Sequence, residues 1–168
     1  TYSYVKYNRN GNILKITDKD FFNTYADNSN KNISIDDFSD VTILRFNSQK
    51  DISFLMKNAV KCVNLKEIMF YGGSNYDFRK ILKTLKSFKN LEKISFINVQ
   101  MKFFPIELLN LEQIQIINLS ENYIAYIPCE IEHMSNLKEL NISYNPNFKL
   151  STCLSKLTEK IKIIYPKM

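Results

Sequence analysis

Apolar residues in the second half of the chain recur in a single register. Leu91, Ile94, Phe96, Val99, Met101, Phe104, Leu108 and Leu111 are matched 23 residues later by Ile114, Ile117, Leu119, Asn122, Ile124, Ile127, Ile131 and Met134. A third copy opens after a further 23 residues with Leu137, Leu140, Ile142 and Asn145, and Pro105 and Pro128 stand in equivalent places after Phe104 and Ile127. The second and third apolar residues of each copy are two apart, so both point to one side of a short extended segment and the residues between them to the other. Further on, apolar residues recur every three or four positions, which predicts a turn-rich or 3₁₀ return path. The proline at its start lacks an N–H and discourages a long α-helix. One such coil cannot bury its own apolar side, so the pattern predicts a stack of coils sharing a continuous core.

The register extends upstream with less regularity. Leu65, Ile68 and Phe70 open a unit of 26 residues, and Val41, Leu44 and Phe46 one of 24. Both lack the proline, and Gln49 and Gly73 stand where Asn122 and Asn145 stand later. Phe78, Ile81, Leu82, Leu85 and Phe88 form a stripe at helical spacing opposite Arg79, Lys80, Lys83, Lys86 and Lys89, which predicts an α-helical return. Past Pro146 and Asn147, the last return carries Leu150, Leu154 and Leu157. A partial strand follows at Ile161, Ile163 and Ile164, stopped by Pro166. Residues 41–168 thus read as about five repeats and a stub.

Residues 1–40 fall outside the period. Tyr2 to Ile16, with Asn10-Gly11 between two runs of β-formers, predicts a strand pair around a tight turn. Thr17, with Asp20 three residues on and then Phe21 and Phe22, predicts a helix start, and Asp27 to Asn32 a loop. Because terminal coils expose core, this segment is expected to form an N-terminal cap.

The repeated LxxLxLxxNxL spacing resembles the leucine-rich repeat superfamily. The segments FPIELLNLEQI and IPCEIEHMSNLKEL are similar to its LPxxIxxLxxL class, found in plant intracellular Ras-group and bacterial repeat proteins. The resemblance implies an α/β fold: a right-handed solenoid with a parallel sheet on its concave face, helical or 3₁₀ convex returns, and protein recognition as the usual activity. It also implies that Asn122 and Asn145 are ladder residues whose amides bond backbone groups between coils. Gln49, Gly73 and Val99 depart from that pattern in the first three units.

Register also names the side chains that face away from the core: positions three, five and seven of each unit. Met69, Tyr71, Ile97 and Ile116 form a candidate apolar binding patch with Ile43 at its edge, rimmed by Arg45, Glu67, Lys93 and Glu139. Apolar residues on a face with no core to join are informative, and Tyr and Met are enriched at interface centres.

Composition adds bounds. A chain of 168 residues with 45% apolar content can bury a core without disulfide or metal, and no apolar run reaches the roughly 20 residues of a membrane span. Cys62, Cys129 and Cys153 are odd in number and lie inside repeats, which favours buried free thiols and a cytoplasmic, reducing compartment. The net charge of +6 comes mostly from the Arg79 to Lys89 stripe and from Lys156, Lys160, Lys162 and Lys167. It reads as the solvated side of an amphipathic return, with nucleic acid a minor alternative. Cys129 and the single histidine, His133, make half of a zinc spacing with no second pair, and Gly72-Gly73 lacks a phosphate-loop context. Asp36, Asp37 and Asp40 are not spaced as a calcium loop. The expectation is a monomeric, non-catalytic module without cofactor or metal that binds a protein partner in signalling or as an adaptor. The alternatives are a regulatory domain of a larger phosphatase, kinase or ligase, and a secreted or surface host-interaction protein. Asn32, Asn118 and Asn141 begin Asn-x-Ser acceptors, although the last two lie on the strands of the proposed face.

Overall fold

The computed structural model describes residues 6–10, 13–17, 41–47, 61–74 and 76–165. Among the described residues eight strands lie side by side in chain order: β1 (Lys6–Asn10), β2 (Ile13–Thr17), β3 (Ile43–Asn47), β4 (Glu67–Tyr71), β5 (Lys93–Ile97), β6 (Ile116–Asn118), β7 (Glu139–Asn141) and β8 (Lys162–Ile164). β1 and β2 pair antiparallel, and every later pair is parallel. Thr17 ends β2, while Asp20, Phe21 and Phe22 of the expected helix start, the Asp27 to Asn32 loop, Asp36, Asp37, Asp40 and Gln49 lie outside the described residues.

Equivalent residues of successive units are paired in register, so Leu44, Ile68, Ile94, Ile117 and Leu140 form one inward row, all fully buried. Phe46, Phe70 and Phe96 form the next. Parallel strands stand about 4.8 Å apart, and identical rings carried at that spacing must stack. Ring centroids are 4.9 Å apart from Phe46 to Phe70 and 5.0 Å from Phe70 to Phe96, with interplanar angles of 8° and 19°. Tyr76 and Phe78 close the edges of this stack, the first against Phe70 and the second against Phe96.

The returns differ as the spacing predicts. The 26-residue unit has room for an α-helix, α1 (Phe78–Leu85), started by Asp77, whose carboxylate accepts the Lys80 N–H at 3.0 Å. Its buried side is Ile81, Leu82 and Leu85. The 23-residue units return through 3₁₀ turns, Ile106–Asn110 and Cys129–His133, each entered through a proline. Leu108 and Ile131 point into the core. The last return is a short helix, α2 (Thr152–Leu157), which buries Leu154 and Leu157.

Strands β4 to β7 each end in a turn with a left-handed residue at the same repeat position. These are Gly72, Asn98, Glu121 and Tyr144, with φ of 69°, 53°, 60° and 56°. Gly and Asn occupy that region at little cost, Glu and Tyr at a real one.

The cysteines correct the sequence reading. Cys62 is a buried free thiol, as expected, and burial pushes its pKa up to about 11. Cys129 and Cys153 are instead joined in a disulfide, with Cα atoms 5.6 Å apart, inside the range such a bond requires. Their separation of 24 residues is one repeat plus one. Stacking therefore lays the 3₁₀ turn of one coil against α2 of the next and brings the two thiols together.

Candidate functional site

The loops that follow the strands are held by two different devices. Asn122 is buried, and its Oδ1 accepts the N–H groups of Val99 and Met101, both at 3.1 Å. Its Nδ2 lies within hydrogen-bond distance of the carbonyls of Phe96, Leu119 and Ser120 at 2.7, 3.0 and 3.0 Å. Asn145 repeats this one coil later: it accepts from Ile124 at 2.8 Å and reaches the carbonyls of Leu119, Ile142 and Ser143. Each amide thus closes its own turn and ties it to the preceding coil. At Gly73 no side chain is available, and there Tyr76 Oη donates to the Gly72 carbonyl at 2.8 Å.

With the core rows fixed inward, the open face of the sheet carries three rows of its own. The first reads Ile43, Glu67, Lys93, Ile116, Glu139 and Lys162. Within it Lys93 bridges Glu67 at 3.3 Å and Lys162 bridges Glu139 at 2.9 Å. The middle row is Arg45, Met69, Ser95, Asn118, Asn141 and Ile164, and the third contains Tyr71 and Ile97. Tyr71 is 44% exposed, and Met69 and Ile97 are half-buried. Register sets Tyr71 directly against Ile97 and Met69 two residues before Tyr71, so these three are neighbours. Ile116 pairs instead with Lys93, four residues back along β5 from Ile97, about 13 Å away at strand rise. It separates the two ion pairs and does not join the other three. Ile43 sits beside Glu67 at the start of the same row.

The downstream half of this face is polar. Asn118 Oδ1 accepts the Ser120 N–H at 3.0 Å, and Asn141 Oδ1 accepts from Ser143 N at 3.0 Å and Ser143 Oγ at 2.7 Å. Ser95 is fully buried. Its Oγ has no hydrogen-bond partner, and neither has the buried Arg45 Nε. Period-two reasoning places a side chain on a face but gives no account of how neighbours shade it, so neither orphan was foreseeable.

Two further surfaces stand apart from that face. Arg79, Leu82, Lys83, Lys86, Glu107, Asn110 and Leu111 line an open depression of about 230 Å³ between α1 and the first 3₁₀ turn. There Arg79 approaches Glu107 at 3.5 Å but is itself 86% exposed. Phe103 (72% exposed) and Tyr126 (58%) occupy equivalent positions in consecutive coils, and Ile106, Tyr123 and Tyr144 are exposed as well. The sequence reading missed this pair, although the step of 23 between Phe103 and Tyr126 was available to find it. Cys129 Sγ is committed to its disulfide, and among the described residues no three His, Cys, Asp or Glu side chains group as a metal site. No helix among them is long and apolar enough to cross a membrane.

No family model matches the sequence, and no curated protein matches it. Among solved structures the chain is similar to a leucine-rich repeat protein of Leptospira interrogans, at 23% identity and a TM-score of 0.48. The match covers 71% of this chain and 29% of that one, so the chain spans under a third of that protein's length.

Proposed function

We propose that this chain is a non-catalytic protein-interaction module of the leucine-rich repeat kind, a right-handed solenoid with LPxxIxxLxxL returns, whose concave sheet face binds a protein partner. The observation that carries the reading is the cluster of Tyr71, Met69 and Ile97 on a face where Lys93 and Lys162 are answered by glutamates. A free chain gains nothing by keeping an exposed tyrosine against an isoleucine there, whereas aromatic and Met side chains are enriched at interface centres. Capture of partners from source lysate by wild type and by Tyr71→Ala, quantified by mass spectrometry, tests it. Specific partners should be lost from the variant, and identical capture by both would overturn the reading.

The Cys129–Cys153 bond, exposed at Cys129 and half-buried at Cys153, favours a setting other than the reducing cytoplasm expected from the cysteine count. The secreted or surface alternative therefore gains over an intracellular adaptor. Alkylation of protein taken directly from its source decides between them: one reactive thiol after unfolding supports the former, three the latter.

A further inference from the structure

Three cations on the open face have described side chains, and two of them are answered; Lys15 of β2 stands beside Arg45 in the register. Lys93 and Lys162 hold Glu67 and Glu139, whereas Arg45 has no acidic partner among the described residues and its Nε is buried without an acceptor. Glu67, the nearest acid in the register, is already committed to Lys93. A guanidinium N–H stripped of water and left unpaired carries a desolvation cost that nothing within the described structure recovers. A carboxylate meeting the guanidinium's terminal nitrogens is the group whose two oxygens match its fork of donors.

The surroundings say what accompanies the acid. Met69 is the direct register neighbour of Arg45, with Tyr71 two residues further along the same strand. One strand spacing, about 4.8 Å, separates the backbone of Arg45 from that of Met69, a step spanned by one or two residues of an extended chain. β3 is flanked by β2 on one side and β4 on the other, so the face continues past Arg45 in both directions. That suits an internal acidic side chain better than a chain end.

Resting on the reading that this face binds protein, we infer that it selects an extended segment carrying an internal Asp or Glu next to an apolar residue. The acid pairs with Arg45, and the apolar side chain rests on Met69 and Tyr71. Selection of a displayed library of random dodecapeptides on the full chain tests this, with enriched peptides titrated against wild type, Arg45→Gln, Arg45→Glu and Tyr71→Ala, each first checked for folding by circular dichroism. Enriched sequences should share an acid beside an apolar residue, and Arg45→Gln should weaken them by about 30-fold. Arg45→Glu should abolish binding. Peptides lost on Tyr71→Ala but insensitive to both Arg45 variants would overturn the acidic selectivity and leave the binding face intact. Peptides insensitive to all three variants bind elsewhere and would overturn the face itself. Enrichment of no peptide would overturn the inference of a linear acidic segment.

Discussion

The unit from Leu65 to Asn90 and those that follow Ile114 build the same sheet by different means. Downstream, Asn122 and Asn145 supply donors and acceptors to their turns, and Pro128 opens a tight 3₁₀ return in the first of these two coils. Upstream, the ring stack of Phe46, Phe70 and Phe96, the Tyr76 hydroxyl and a full helix replace both devices. The outward faces diverge as well: Asn118, Asn141 and their serines downstream, Met69 and Tyr71 upstream. Positions that break a repeat rule inside and present apolar side chains outside are where function is expected to displace regularity. The regular coils are the scaffold in this view, and the irregular ones carry the site.

This contrast can be broken at several points, from the largest effect down. Phe70→Ala removes the middle ring of the stack and should cost about 3–5 kcal/mol in denaturant unfolding. A loss below about 1 kcal/mol would mean the aromatic row does not hold the upstream coils. Asn122→Leu adds apolar surface yet should cost about 3 kcal/mol, because the Val99 and Met101 N–H groups and the Phe96 carbonyl lose their partner. A neutral or stabilised variant would refute the ladder. Cys153→Ser frees the last return, and closure of a loop of this length is worth about 3 kcal/mol, measured as the gap between oxidised wild type and the variant. If reduction of wild type leaves stability unchanged, the bond is incidental to the scaffold. Glu121→Gly relieves a left-handed turn residue and should stabilise by about 1 kcal/mol, the smallest effect and the only gain.

Much of this architecture was legible from apolar spacing. The pairs Leu44/Phe46 through Leu140/Ile142 fixed which side chains go inward, Pro105 and Pro128 announced tight returns, and the stripe from Phe78 to Leu85 announced a helix. What escaped depends on relations between coils. The cysteines were counted along the chain, when a separation of one repeat plus one already made Cys129 and Cys153 neighbours in the stack. Ile116 was grouped with Ile97 because both face outward, although they lie at opposite ends of their strands. The turn conformations at Glu121 and Tyr144 left no trace, since neither residue type advertises a positive φ.

The central claim, that binding belongs to the upstream half of the open face, is tested most directly by titration calorimetry of a captured partner against matched variants. Tyr71→Ala should weaken binding by roughly 2 kcal/mol or more, while Asn141→Ala on the downstream half and Lys83→Ala on the basic helix leave it within about 0.5 kcal/mol. Unchanged affinity for Tyr71→Ala with a loss for Lys83→Ala would contradict the account and move the site to the depression beside α1.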